Sequence, residues 1–273
     1  MKTRVLVAAI AIPFVILIIL LAPTWLLGAV MGAVSALCAW EFVRCAEVEI
    51  KRRMLIYSAV SAFCIPLFVA LFPAGMVYEI VLFCLTALVF SELMLSFRRE
   101  NPMDFETAAV VVLAGGVLPI LLSAIVRLDL REHGSVYALL PFVVAFTSDS
   151  AAYFAGLFLG RHKLTPRLSP NKTVEGSVGG FVGTIVVVLL YGLILKAAKF
   201  EVDFAVLTVY AFLGSLASQL GDLSFSAIKR LCGVKDFGTV LPGHGGMLDR
   251  FDSMFWTAAL MEILVRWVPA ITK

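Results

Sequence analysis

Nine stretches of apolar sequence, each long enough to cross a bilayer, set the terms on which this chain can fold. A bilayer core takes about 20 apolar residues of helix, and a backbone in lipid must satisfy its own hydrogen bonds. Runs of that kind occur at Val5–Leu21, Trp25–Val43, Met54–Phe72, Gly75–Phe97, Thr107–Val126, Val136–Gly160, Val174–Leu195, Phe204–Ile228 and Ser253–Val268. The pattern predicts an all-α, polytopic integral membrane protein with about nine transmembrane helices. A mean hydropathy of +1.00, with 61% hydrophobic and 15% charged residues, excludes a soluble globular domain. Lys2 and Arg4 before the first run give it the look of a signal peptide. The run is too long for that and no convincing small-x-small site follows, so it is read as a retained span.

Orientation follows from the basic residues. With the N-terminus in the cytoplasm, 16 of the 22 lysines and arginines fall on the cytoplasmic side. A multi-pass protein of the cytoplasmic (inner) membrane is expected. Residues 1–100 read as a scaffold of transmembrane helices, lipid-facing or forming a homodimer contact. Residues 101–273 read as a second transmembrane region, with cytoplasmic loops at 161–173 and 229–252. The five cysteines fall singly, with no C-x-x-C pair, and read as small apolar residues. A net charge of +3 without a basic, aromatic-interleaved run argues against a nucleic-acid partner.

Polar chemistry concentrates in two places. The denser runs from Asp222 to Asp252, where Asp222, Asp236, Asp249 and Asp252 alternate with Lys229, Arg230, Lys235 and Arg250. Carboxylates suit a divalent cation, the basic groups suit phosphate oxygens, and the interspersed glycines let backbone approach both. Asp222, Ser226 and Lys229 share one helical face, as do Asp249 and Asp252 three apart. The second place begins at Asp149, a carboxylate inside an apolar run that needs a partner, a metal or a water-filled cavity. Asp149 precedes Gly160 by about 16 Å of straight helix, so either the site is deep or the helix breaks near Gly156. Ser169-Pro170 is expected to start a turn or helix that brings Lys172 and Thr173 to a phosphate-attracting N-terminus.

The order Ser226-x-Ile228-Lys229-Arg230, Lys235-Asp236-x-Gly238 and Leu241-Pro242-x-His244-Gly245-Gly246-Met247-x-Asp249-Arg250-Phe251-Asp252 closely resembles the signature of the phosphatidate cytidylyltransferases, or CDP-diacylglycerol synthases. Upstream, Asp149-Ser150-Ala151-Ala152-Tyr153 and Ser169-Pro170-Asn171-Lys172-Thr173-Val174-Glu175-Gly176 are similar to two further stretches of that family. There are two departures: Ala151 stands where glycine is common, and Phe225 where an acidic residue often precedes the signature serine. The resemblance implies attack of a phosphatidate oxygen on the α-phosphorus of CTP at the surface of a lipid bilayer. It implies Mg²⁺, as one ion or two, on Asp222 and Asp249 with Asp252 or Asp149 in support. Asp222, Asp249, Lys229 and Lys172 would be the catalytic residues. Ser226, Arg230, Lys235, His244, Arg250, Ser169 and Thr173 would bind substrate, Lys235 or Arg250 meeting the departing pyrophosphate. His244 would donate a hydrogen bond or shape its loop, since an anionic phosphate needs no base.

The alternatives are an ion or solute transporter, which intramembrane carboxylates also suit, and another CTP-dependent lipid enzyme such as a polyprenol kinase. Polar groups gathered on one side speak against the first, and no Gly-x-x-x-x-Gly-Lys-(Ser/Thr) loop is present.

Overall fold

A computed structural model of the chain describes residues 15–46, 52–73, 75–98, 102–240 and 245–272. Seven helices among these are long and apolar enough to cross a membrane. They are α1 (Thr24–Cys45), α2 (Arg52–Leu71), α3 (Val77–Ser96), the compound helix Phe105–Asp129, α7 (Gly134–Leu159), α8 (Val174–Ala197) and α9 (Phe204–Leu231). The compound helix consists of α4 (Phe105–Val112), a π turn (Leu113–Val117), α5 (Leu118–Leu122) and α6 (Ala124–Asp129). These seven match the second to eighth expected spans. Most of the first, Val5–Leu21, lies outside the described residues. The ninth coincides with α10 (Leu248–Trp267), whose five charged residues leave it outside the apolar seven.

The chain divides into two compact units. The first comprises residues 1–130 and 232–251. Within it, Gly28 and Gly32 sit where α1 meets α2: a Cβ on Gly28 would stand 2.5 Å from the Ala70 methyl and one on Gly32 2.6 Å from the Phe63 carbonyl oxygen. Small residues four apart let two apolar helices touch along their backbones, where dispersion contacts replace the hydrophobic drive that lipid removes. The π turn has a local cause. Pro119 has no N–H and its ring crowds the carbonyl four residues back, so one wider turn precedes it. Glu92 forms an ion pair with Arg53 at 2.6 Å, and Asp129 accepts from Thr24 Oγ1 at 2.7 Å.

The second unit comprises residues 131–231 and 252–273. Two short ribbons interrupt its helices: β1 (Lys163–Thr165) pairs antiparallel with β2 (Ser169–Thr173), and β3 (Glu201–Val202) with β4 (Ile271–Thr272). The second ribbon is tied down by Tyr137, whose Oη donates to the Ile271 carbonyl and accepts from its N–H, both at 2.8 Å. Glu262, placed within reach of Arg266 by sequence spacing, accepts from Arg131 at 3.3 Å. Along α7 and α8, Gly179 and Gly183 face Ala155 and Ala151 so closely that added methyl groups would overlap them. Gly179→Val is therefore expected to cost about 1–3 kcal/mol through overpacking. A lower unfolding midpoint in detergent would show it, and an unchanged midpoint would refute the close packing.

Candidate active site

The second unit gathers most of the residues singled out from the sequence. α7 runs unbroken through Gly156 to Leu159, so Asp149 stands within the helix, about three turns before its end. Ser169-Pro170 starts no helix. It opens strand β2, and α8 begins at Val174 with Thr173 as its N-cap. The Thr173 hydroxyl accepts from the Gly176 N–H at 3.1 Å, satisfying one of the orphan donors of the first turn. Glu175 closes the ribbon over that turn. Its carboxylate accepts from the Arg161 N–H at 3.0 Å and the His162 N–H at 3.1 Å, and meets His162 Nδ1 at 2.6 Å. β2 thus leaves the helix cap with Lys172 held in place, and its ammonium forms an ion pair with Asp222 of α9.

One turn along α9, Ser226 Oγ donates to Asp222 Oδ1 at 3.3 Å, as their spacing predicts. Arg230 reaches back to the ribbon, its Nε donating to the Leu168 carbonyl at 3.4 Å. Ser169 is paired with Thr165 across the ribbon. Asp149 and Asp252 both lie within electrostatic range of Asp222, and Lys229 within range of Asp252. Burial, and next the Asp222 charge, push the Asp252 carboxyl above the usual carboxylate range.

Ser253 stands between two of these acceptors, and its N–H also donates to Asp252 Oδ1 at 2.8 Å. Ser253 Oγ lies 3.1 Å from Asp149 Oδ2 and 3.2 Å from Asp252 Oδ1, and a hydroxyl has one proton to give. Asp149, Asp222 and Asp252 thus share two lysines, the Ser226 and Ser253 hydroxyls and the Ser253 N–H, an acidic set to which a divalent cation would add positive charge. Among the described residues, no three His, Cys, Asp or Glu side chains form a metal cage as they stand.

In the first unit, Phe237 and Gly246 of the signature segment close on the start of α10. Gly233 and Gly245 take positive φ, at 69° and 82°, a backbone that glycine adopts without a steric cost. Asp249 Oδ2 accepts from the Phe237 and Gly246 N–H groups, each at 2.9 Å, and so organises the loop that carries it. Lys235 and Arg250 are exposed. His244 lies outside the described residues. One residue of this region escaped the sequence reading. Glu41 of α1, buried, accepts from the Met247 N–H at 3.0 Å and the Leu248 N–H at 2.8 Å. A carboxylate inside the run Ala39-Trp40-Glu41-Phe42 was the available signal, since such a group needs a partner.

Comparison with known proteins decides the family. The model of the cytidylyltransferase family matches residues 2–268. This chain belongs to that family. Among cytidylyltransferase relatives, the phosphatidate cytidylyltransferase of Thermotoga maritima is 32% identical over 282 residues, covering 100% of this chain and 99% of the relative. The phosphatidate cytidylyltransferase of Bacillus subtilis is 37% identical over 167 residues, 61% of each chain. That of Staphylococcus saprophyticus is 43% identical over 137 residues, 50% of this chain and 52% of its own.

Proposed function

We propose that the protein is a phosphatidate cytidylyltransferase of the cytoplasmic membrane, converting CTP and phosphatidate to CDP-diacylglycerol and pyrophosphate. The observation that carries this reading is the full-length match to the Thermotoga maritima relative. The carboxylate and lysine cluster of the second unit supplies groups the chemistry needs.

A phosphatidate oxygen attacks the α-phosphorus of CTP. The new P–O bond forms as the bond to the bridging α–β oxygen breaks, and pyrophosphate leaves with that oxygen. Phosphatidate is already an anion at neutral pH, so no general base is required. The protein's work is in-line positioning and stabilisation of charge. Asp222 with Asp252 and Asp149, and Asp249 at the start of α10, are the residues we assign to Mg²⁺. When bound, Mg²⁺ would neutralise phosphate charge. Lys172 and Asp222 are 27% and 28% exposed, so substrate can still reach their ion pair. In this reading Lys172, Lys229 and Arg230 hold phosphate oxygens of CTP or lipid, and Ser226 orients Asp222. Lys235 and Arg250 meet the departing pyrophosphate. The distribution of basic residues supports a cytoplasmic N-terminus, which puts these groups on the side where CTP is found.

The test uses purified full-length protein in detergent with phosphatidate, Mg²⁺ and CTP labelled in the cytosine ring. Label is expected in the organic phase with one pyrophosphate released per lipid formed. Folded protein that binds CTP yet yields neither product would refute the reading.

A further inference from the structure

The buried Glu41 carboxylate has no part in the chemistry proposed above, yet among the described residues of the first unit it is the most tightly enclosed acid, at 3% exposure. Its two oxygens accept the N–H groups of Met247 and Leu248 where α10 begins. Those are orphan donors of a helix start, and a negative charge there also meets the positive end of the helix dipole. Phe42, the next residue, stacks on Phe237 with ring centroids 6.2 Å apart. Two signature glycines close on the same carboxylate. A Cβ on Gly238 would lie 2.5 Å from Glu41 Oε1, and one on Gly246 would collide with Glu41 Oε2. Neither glycine has positive φ, so backbone conformation would admit alanine at both. For each, the nearest three atoms to such a Cβ all belong to Glu41.

We propose that Glu41 is a positioning residue for catalysis, clamping the first turn of α10 so that Asp249 is held in its reactive place, and that Gly238 and Gly246 are glycines to admit its carboxylate. The inference rests on the cytidylyltransferase reading. Asp249 is tied to the same turn through Gly246, whose N–H it accepts while the Glu41 carboxylate fills the space a Gly246 side chain would take. Loss of the clamp frees the turn to shift, and displacement of a reacting group by about 1 Å costs on the order of 100-fold in rate.

A double-mutant cycle on the full-length enzyme tests this, with Glu41→Ala, Gly246→Ala and the double variant, Gly238→Ala serving as a repeat. Glu41→Ala is expected to lower kcat on the order of 100-fold, with KM for CTP and phosphatidate within about threefold of wild type. Gly246→Ala should lower kcat by about tenfold or more in wild type and cause no further loss in Glu41→Ala, because the obstructing carboxylate is gone. If Glu41→Ala does not fold, Glu41→Asp replaces it: the charge stays, the carboxylate withdraws, and the glycine substitution should again be tolerated better. Retention of wild-type kcat in Glu41→Ala, or additive losses across the cycle, would overturn the proposal. Thermal unfolding of the four proteins reads the same coupling without substrate. An inactive wild type with a coupled unfolding cycle would therefore condemn the functional reading and leave the Glu41 contact standing.

Discussion

Asp222→Asn is expected to cut kcat on the order of 10³-fold while leaving the protein about as stable as wild type. The substitution keeps size and shape and removes only charge. In the folded chain that charge is attracted to Lys172 and repelled by Asp149 and Asp252. One favourable pair is lost and two unfavourable ones with it, so the unfolding midpoint should barely move. Catalysis should respond quite differently, because a carboxylate that gathers positive charge beside a reacting phosphate cannot be replaced by a neutral amide. Initial-rate measurements with labelled CTP, run beside thermal unfolding in the same detergent, check both halves. Activity within tenfold of wild type would remove Asp222 from the catalytic set. A large fall in midpoint would instead make it a structural residue.

Lys172→Met is the second large effect, an expected loss of about 10²-fold in kcat/KM for CTP. Methionine retains the apolar stem and removes the ammonium, so the loss isolates the charge that β2 brings to Asp222. Arginine should rescue poorly, since its planar fork does not replace a compact point charge. The variant also carries a test of the metal assignment independent of turnover. With its lysine gone, Asp222 should bind Mg²⁺ more tightly, and added Mg²⁺ should raise the unfolding midpoint of Lys172→Met by more than that of wild type. Equal shifts in the two proteins would mean that Lys172 and the cation do not share Asp222.

Where these side chains stand was only partly legible along the chain. The helical face of Asp222 and Ser226 could be read from spacing, because i and i+4 positions in a regular helix are neighbours whatever surrounds them. The ribbon that delivers Lys172 could not. Ser169-Pro170 has the composition of a turn or helix start, and pairing with Lys163–Thr165 made it a strand instead. Glu41 was harder still. Its partners are the Met247 and Leu248 N–H groups, two hundred residues away in sequence, and no local pattern announces a side chain that caps another helix.

Apolar run length alone determined that this is a polytopic helical membrane protein, because lipid offers the backbone no partner and so leaves a helix as the conformation of each run. Residue order in the signature determined the family, since many positions fixed in type and spacing leave little room for coincidence. Tertiary structure alone decided which carboxylates share a donor, which lysine answers Asp222, and that the Glu41 carboxylate fills the space beside Gly238 and Gly246. Those are properties of space between elements, set where packed backbones bring distant side chains within hydrogen-bonding reach.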